Sequence, residues 1–393
     1  MQSTQATPLF QRVCSLAALR SAAVYLCRTD GSPGVDGQTA GSFRVDEPRL
    51  VGEIRRELRD GKYQLRPFRK ARIPKDKGGF RTIGVPCFRD RIVGRAIVGV
   101  LSDLLEPHWH DSSHGYRPSR SISTAALRVI EAVDAGMAYA ASLDIQSFFD
   151  SIDHDLLMSR FSQIVPDTPL LELIGQLIRN QRWSTDSAPA FEKGVCQGMP
   201  LSPISANLLL HPLDVALARC TPSVRYADDV LILCRSAREA RYALRKARAF
   251  LKDELQLDCS EDKCSVACVA DGFDYLGLHF CEGHITLTGH ARRRLLDLIE
   301  QIIAESRDCA ELVIRSRSTV HSWANAYCAA EGGQEMHSLA GAVAQRLFDR
   351  FTRLARGCHD EYVRHWRWQS RQTNVEKAHT LARGRFLRRE LLA

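Results

Sequence analysis

The sequence predicts an α+β fold, and three patterns carry that prediction. A basic stretch alternates in Arg69-Lys70-Ala71-Arg72-Ile73-Pro74, breaks at Lys75-Asp76-Lys77-Gly78-Gly79 and resumes from Phe80, as a hairpin does. Two short apolar runs flank the polar tip of Val224-Arg225-Tyr226-Ala227-Asp228-Asp229-Val230-Leu231. Beyond Thr288 the periodicity is helical throughout. Strands are therefore grouped ahead of a helical C-terminal region, the pattern of an α+β chain.

The elements follow in order. Phe10, Val13, Leu16, Leu19 and Ala23 recur near helical spacing and predict one helix over Leu9 to Arg28, closed by the turn-rich residues 30–37. A second helix runs from Glu47 to Asp60 and stops at Gly61. The basic hairpin comes next, then a helix from Arg89 to Leu105. A strand starts at Ala138, and helices are predicted from His154 to Phe161 and around Leu170 to Asn180. After a turn at Gly194, Gln197-Gly198-Met199-Pro200 leads into a buried helix. A helix from Ala237 to Leu255 and a last hairpin over residues 265–280 complete the sheet. Three helices end the pattern, over Arg292 to Ser306, Ala310 to Ala329 and Met336 to Arg356.

With 393 residues, 45% hydrophobic and 25% charged, the chain is long enough for two or three domains. No apolar run approaches the roughly 18 to 20 residues of a membrane span. The first ten residues lack the basic-then-apolar order of a secretory signal, so a cytoplasmic protein is expected. Thirteen scattered cysteines suit core positions in a reducing compartment. Cys264, Cys268, Cys281 and His284 have spacings that could ligate zinc, with a hairpin core as the alternative.

Charge is uneven along the chain. Lys62 to Arg95 holds eleven Lys/Arg against two Asp/Glu, and Ala291 to Ala393 eighteen against twelve. These regions carry +9 and +6 of a net +8, which leaves −7 elsewhere. An acidic centre between basic flanks suits an enzyme that grips a polyanion and holds divalent metal, and equally an unevenly charged solvated surface.

The chemistry centres on Asp144, in Ser142-Leu143-Asp144-Ile145, and on Asp228-Asp229. Adjacent aspartates buried in an apolar hairpin would repel and raise each other's pKa unless divalent cations neutralised them. Three carboxylates from neighbouring strands offer oxygen ligands for two Mg2+ ions about 3.5 to 4 Å apart, the arrangement that promotes in-line phosphoryl transfer. The alternative is a hairpin tip with two solvated acids.

Eight segments in order widen this reading. They are SPGVDG from Ser32, IPKDKGGFRTIGVPCFRDRIV from Ile73, HGYRPSRS from His114, LDIQSFFDSIDH from Leu143, QGMPLSPISANL from Gln197, YADD from Tyr226, SEDK from Ser260 and FDYLG from Phe273. Over about three quarters of the chain the sequence resembles bacterial reverse transcriptases of the group II intron-like class. The resemblance implies a right-hand polymerase with fingers, a palm with an antiparallel sheet, and a helical thumb. Its implied parts are an N-terminal extension and fingers over 1–137, a palm over 138–287 with part of the fingers at about 155–193, a thumb over 288–358 and a basic tail over 359–393.

The resemblance also assigns roles. Asp144, Asp228 and Asp229 are implied as the catalytic, metal-binding triad with two Mg2+ ions, Mn2+ being able to replace them. One ion activates the primer 3′ hydroxyl and the other stabilises the leaving pyrophosphate. Lys75 and Arg81 grip the incoming triphosphate, or are plain surface charges. Phe149 resembles the steric gate against a ribose 2′ hydroxyl, with Phe148 in the core. Gln197 contacts the nucleotide and Gly198 permits close backbone approach. Lys263 resembles the lysine that protonates pyrophosphate, its alternative being a salt bridge to Glu261 or Asp262. Arg117, Gly198, Tyr275 and Gly277 contact template and primer.

The implied partners are an RNA template, possessing dedicated structure in the non-coding RNAs of antiphage defence, a DNA or RNA primer, and dNTPs, with no membrane. The thumb is followed by no paired Cys-x-x-Cys motif, which sets the chain apart from mobile intron endonucleases and directs the expectation to stand-alone defence-associated or CRISPR-linked enzymes. A maturase-like RNA-binding protein is the alternative. In the thumb, Arg315 and Arg317 are expected to meet phosphate, and the run from Tyr362 to Trp368 interleaves aromatics with cations as single-strand RNA binding requires.

Overall fold

Ser15 divides the first predicted helix. Its hydroxyl accepts the Ala18 N–H at 3.1 Å, capping a new helix, so α1 (Leu9–Val13) and α2 (Leu16–Thr29) replace one continuous element. A computed structural model describes residues 8–29, 31–74, 79–184, 190–281, 284–330 and 334–354. Lys75 and the aromatic-basic run from Tyr362 lie outside the described residues.

A Thr39–Ser42 capping box opens α3 (Ala40–Val45), and α4 (Glu47–Arg59) follows. Strands β1 (Arg69–Pro74) and β2 (Phe80–Val85) form the basic hairpin, antiparallel from Arg69↔Val85 to Pro74↔Phe80. Then come α5 (Phe88–Leu105), α6 (Ile122–Asp134) and β3 (Tyr139–Asp144). A short α7 (Phe148–Ser151) leads to α8 (His154–Ile164) and α9 (Thr168–Arg179), the last two capped by Asp153 and Asp167. The apolar α10 (Ser202–Ala218) precedes β4 (Ser223–Tyr226), β5 (Asp229–Cys234) and α11 (Ala237–Leu255). The rest comprises β6 (Ser265–Cys268), β7 (Phe273–Tyr275), β8 (Leu278–Cys281), β9 (His284–Leu287), α12 (Gly289–Glu305), α13 (Cys309–Ala326) and α14 (Gln334–Leu354).

The described residues fall into two units. The first draws on Met1–Tyr116, Asp144–Arg219 and Arg245–Lys263. Its core is α5, whose Ile92, Val93, Ile97, Leu101 and Leu105 are buried and which packs on α1 and α2. Helix α10 packs on α8 and buries Leu208, Leu209, Leu210 and Leu213.

The second unit draws on Arg117–Leu143, Cys220–Leu244 and Cys264–Ala393. A four-stranded sheet has the order β4-β5-β3-β6, and β7-β8-β9 form a separate sheet. Val224, Leu231 and Leu233 share one core with Phe273, Phe280, Leu295, Ile299 and Val343. The predicted last hairpin is thus two elements in two sheets. β6 pairs with β3, from Ser142↔Ser265 to Tyr139↔Cys268, while β7 pairs with β8. Gly272, at φ +85°, turns the chain between them, and Phe273 and Phe280 then stack across the new pair at 5.1 Å.

Asp90 is fully buried beneath the basic hairpin's approach. It accepts the Tyr63 hydroxyl at 2.7 Å and the Arg66 N–H at 3.2 Å, while Arg89 beside it pairs with Glu57. Burial outweighs these partners and pushes the Asp90 carboxyl up to about 6 from 3.8. Since the folded value is the higher one, the contribution to stability is complete below about pH 4 and is lost as pH rises through about 6. Asp90→Asn removes this term. The stability difference between wild type and Asp90→Asn, read by denaturant titration, is expected to move against wild type by about 2 kcal/mol between pH 4 and 7.

Candidate active site

The hairpin β4–β5 in the second unit turns at Ala227-Asp228, with Ala227 in the left-handed region at φ +58°. A non-glycine residue held there marks a turn fixed by its surroundings. Two buried side chains fix it. Arg225, fully buried, donates to the Ala227 carbonyl at 2.9 Å. The Tyr275 hydroxyl donates to the Val224 carbonyl at 3.1 Å and to the Asp229 carbonyl at 3.2 Å. Asp229 is exposed and Asp228 half-buried, so the expectation of a buried pair of aspartates is corrected. Val230 to Cys234 are all buried along β5, and the acids stand at its start. Next to β5 in the same sheet is β3, where the Ala138 N–H donates to the Cys234 carbonyl at 2.9 Å.

In the first unit, Asp144 is tied to a distant segment. The Ser260 N–H donates to the Asp144 carbonyl at 3.0 Å, the Gln146 N–H to the Asp258 carbonyl at 2.8 Å, and Ile145 bridges Cys259. This pairing presents Lys263, whose Nζ lies 3.0 Å from Asp144 Oδ2 and 3.3 Å from Oδ1. Both groups keep solvent access, so the pair is a modest electrostatic contact rather than a buried one.

Phe149 sits in the short helix α7, braced from one side. The Gly194 N–H donates to the Ile152 carbonyl and the Val195 N–H to the Phe149 carbonyl, each at 2.7 Å, and His154 Nε2 bonds the Gly194 carbonyl at 2.7 Å. Gly194 has φ +88°, and a Cβ there would lie 2.8 Å from the Asp150 carbonyl. Phe148 is buried as expected, and Phe149 is half-exposed against it, with ring centroids 5.3 Å apart. The loop holding Gln197 and Gly198 is anchored by Gln181, which sequence reasoning missed. Its buried Oε1 accepts the Cys196 N–H at 2.7 Å while Nε2 donates to the Leu177 carbonyl at 2.8 Å. Gly198 does allow a close backbone approach, and the group approached is the Gly84 carbonyl of β2.

The other expected site residues are spread out. Arg81 is exposed on β2, opposite Ile73. Arg117 is half-buried. Tyr275 is buried and holds the Asp229 hairpin rather than facing outward. Leu276 and Gly277, at φ +52° and +80°, make the two-residue turn between β7 and β8. On α13, Arg315 is engaged by Glu305 and Glu311, which corrects its expected freedom to meet phosphate, whereas Arg317 is exposed. The zinc candidates divide between sheets: Cys268 lies on β6, and Cys281 and His284 pair across β8 and β9. Cys281 Sγ instead donates to the Ala270 carbonyl at 3.5 Å. Among the described residues no three His, Cys, Asp or Glu side chains form a ready metal cluster.

The family model "Reverse transcriptase (RNA-dependent DNA polymerase)" matches residues 73–280, more than half of the chain. The chain belongs to this family. The reverse transcriptase has that family's mixed α+β right-hand polymerase fold and is an enzyme of the RNA-directed DNA polymerase class. It is similar to protein YkfC of Escherichia coli K12, 29% identical over 285 residues, covering 63% of this chain and 75% of that one. It is also similar to the group II intron-encoded protein LtrA of Lactococcus lactis subsp. cremoris, 31% identical over 192 residues. That match spans 49% of this chain but only 31% of LtrA. Among solved structures, apo telomerase from Candida tropicalis aligns at TM-score 0.49 and 11% identity, over 85% of this reverse transcriptase and 73% of the telomerase chain.

Proposed function

We propose that the chain extends a DNA or RNA primer on an RNA template with dNTPs, using Asp144, Asp228 and Asp229 to hold two Mg2+ ions. The observation that carries this reading is strand order. β3 lies beside β5, and the Ala138–Cys234 bond sets the start of one against the end of the other. The strands therefore run antiparallel; Asp144 is the last residue of β3 and Asp229 the first of β5.

The donor set fits the metal. Carboxylates are hard oxygen ligands suited to Mg2+; Asp229 is exposed and Asp228 half-buried. Lys263 stands at Asp144 as a local counter-charge. The chemistry Mg2+ supplies there is activation of the primer hydroxyl and neutralisation of charge on the transferred phosphate. Lys263 Nζ, held by Asp144, is placed to give a proton to pyrophosphate. Arg81, exposed on β2, is assigned to the triphosphate, and Lys75 is assigned the same role. Gln197, Gly198, Arg117, Tyr275 and Gly277 position nucleotide, template and primer, Tyr275 by fixing the hairpin beneath. Residues 1–137 are assigned to the N-terminal extension and fingers, 138–287 to the palm with part of the fingers, 288–358 to the thumb and 359–393 to a basic tail.

A dedicated structured non-coding RNA and a role in antiphage defence complete the proposal, with the protein acting in the cytoplasm. Among the described residues no helix is long and apolar enough to cross a membrane. Purified protein with primed RNA, dNTPs and Mg2+ tests the reaction: retained RNA binding without extension would favour a maturase-like binder. Sequencing the RNA that copurifies tests for one dedicated template.

Phe149 gives a sugar-specific prediction. If its half-exposed ring excludes the 2′ hydroxyl, Phe149→Ala should raise incorporation of ribonucleotides relative to deoxyribonucleotides by roughly 10- to 100-fold. The readout is kcat/KM for each nucleotide type on one primed template, and an unchanged ratio counts against the gate.

A further inference from the structure

The acidic centre of the chain contains a strongly basic helix. Over its 19 residues α11 carries six Lys/Arg against three Asp/Glu. Ala240, Ala247, Leu251 and Leu255 form its buried face. Alongside that face run Arg238, Arg241, Arg245, Arg248 and Lys252, spaced alternately three and four residues apart, so they share one stripe. Arg238, Arg241, Arg245 and Lys252 are exposed, and Arg248 is half-buried.

Two features separate this stripe from an ordinary solvated helix face. Exposed helices usually set acids three or four residues from bases. Here none of the five cations has an acid at those positions, and each has another cation there, an arrangement that works against the helix itself. Glu239 is turned to the Arg235 N–H at 3.1 Å, and among the described residues Arg238, Arg241, Arg245 and Lys252 make no ion pair. The second feature is Tyr242, a large ring 54% exposed one turn from both Arg238 and Arg245.

We propose that this face of α11 binds the phosphate backbone of RNA, as a surface additional to the carboxylate site. A cation recurs about every 5 Å along roughly 21 Å of helix, a repeat that matches a polyanion better than the isolated acids of a protein partner. Arginine's planar fork suits phosphate oxygens, and an exposed tyrosine among arginines can stack an unpaired base. The polymerase reading enters only in the choice of RNA as the polyanion.

The test uses the full chain and a labelled RNA hairpin with a single-stranded extension, with affinity measured across a range of KCl concentrations. The triple variant R238Q/R241Q/R245Q should bind roughly 10- to 100-fold more weakly and flatten the slope of log affinity against log salt by about 2, at about 0.7 per lost contact. R238K/R241K/R245K should keep the wild-type slope. Circular dichroism checks folding, and should the triple variant fail to fold, Arg241→Gln alone should still lower the slope by about 0.7. An unchanged slope in the folded variant overturns the proposal, as does a DNA hairpin of the same sequence that depends on these arginines when the RNA does not. Wild-type extension of primed RNA is followed in parallel. Extension with arginine-independent binding removes this surface and leaves the polymerase reading; arginine-dependent binding without extension does the reverse.

Discussion

Alanine at both Asp228 and Asp229 is expected to lower primer extension by at least about a thousandfold while leaving the fold and RNA affinity near wild type. The separation follows from how the turn is held. Arg225 and Tyr275 bind the hairpin through the main-chain carbonyls of Ala227, Val224 and Asp229, and truncating the two side chains leaves those acceptors in place. Asp229 is exposed and Asp228 half-buried, so little packing is lost. Removing two negative charges also cannot weaken attraction for a polyanion. Extension assays, a melting curve and RNA titration on the same preparation check all three parts. Residual extension within tenfold of wild type would mean that these carboxylates do not hold the catalytic ions.

The acidic hairpin tip was more legible in the sequence than the pairing of strands. Asp228-Asp229 stands out because two acids interrupt an apolar run, and such a tip is readable from neighbours alone. Arg225 carries a similar signal, a cation inside an apolar strand, but sequence does not say that its partner is the Ala227 carbonyl two residues on. The link between Lys263 and Asp144 spans 119 residues and arises only when the 144–146 and 258–260 segments pair. Period-two alternation identified both β6 and β7 as strands yet carried no information on which sheet each joins. Averaging hid the α11 stripe: a regional charge of −7 says nothing about cations lined up on one helix face.

Gly198 shows most directly what a residue type conveys and what only its surroundings decide. A glycine after Gln197 suggests close approach to a ligand, whereas the structure presses it against β2. A Cβ on Gly198 would overlap the Gly84 carbonyl oxygen, and Gly84 is itself packed against Cys196 Sγ and the Phe68 ring. Neither partner can yield cheaply, since Gly84 pairs with Lys70 across the hairpin and Cys196 is pinned by Gln181. Gly198→Ala should therefore destabilise the protein by roughly 3 kcal/mol, the scale of overpacking a closed site. It should also depress extension beyond the loss of folded protein, because the displaced pieces carry Gln197 and Arg81. Gly99 provides the opposing case. It is exposed within α5, a Cβ there meets nothing within 4 Å, and Gly99→Ala should stabilise by about 0.5 to 1 kcal/mol. Denaturant titration of the two variants should give opposite signs for one chemical change. A neutral Gly198→Ala would mean that the loop does not dock on β2, leaving Gln197 without the rigid seat that its proposed contact with a nucleotide requires.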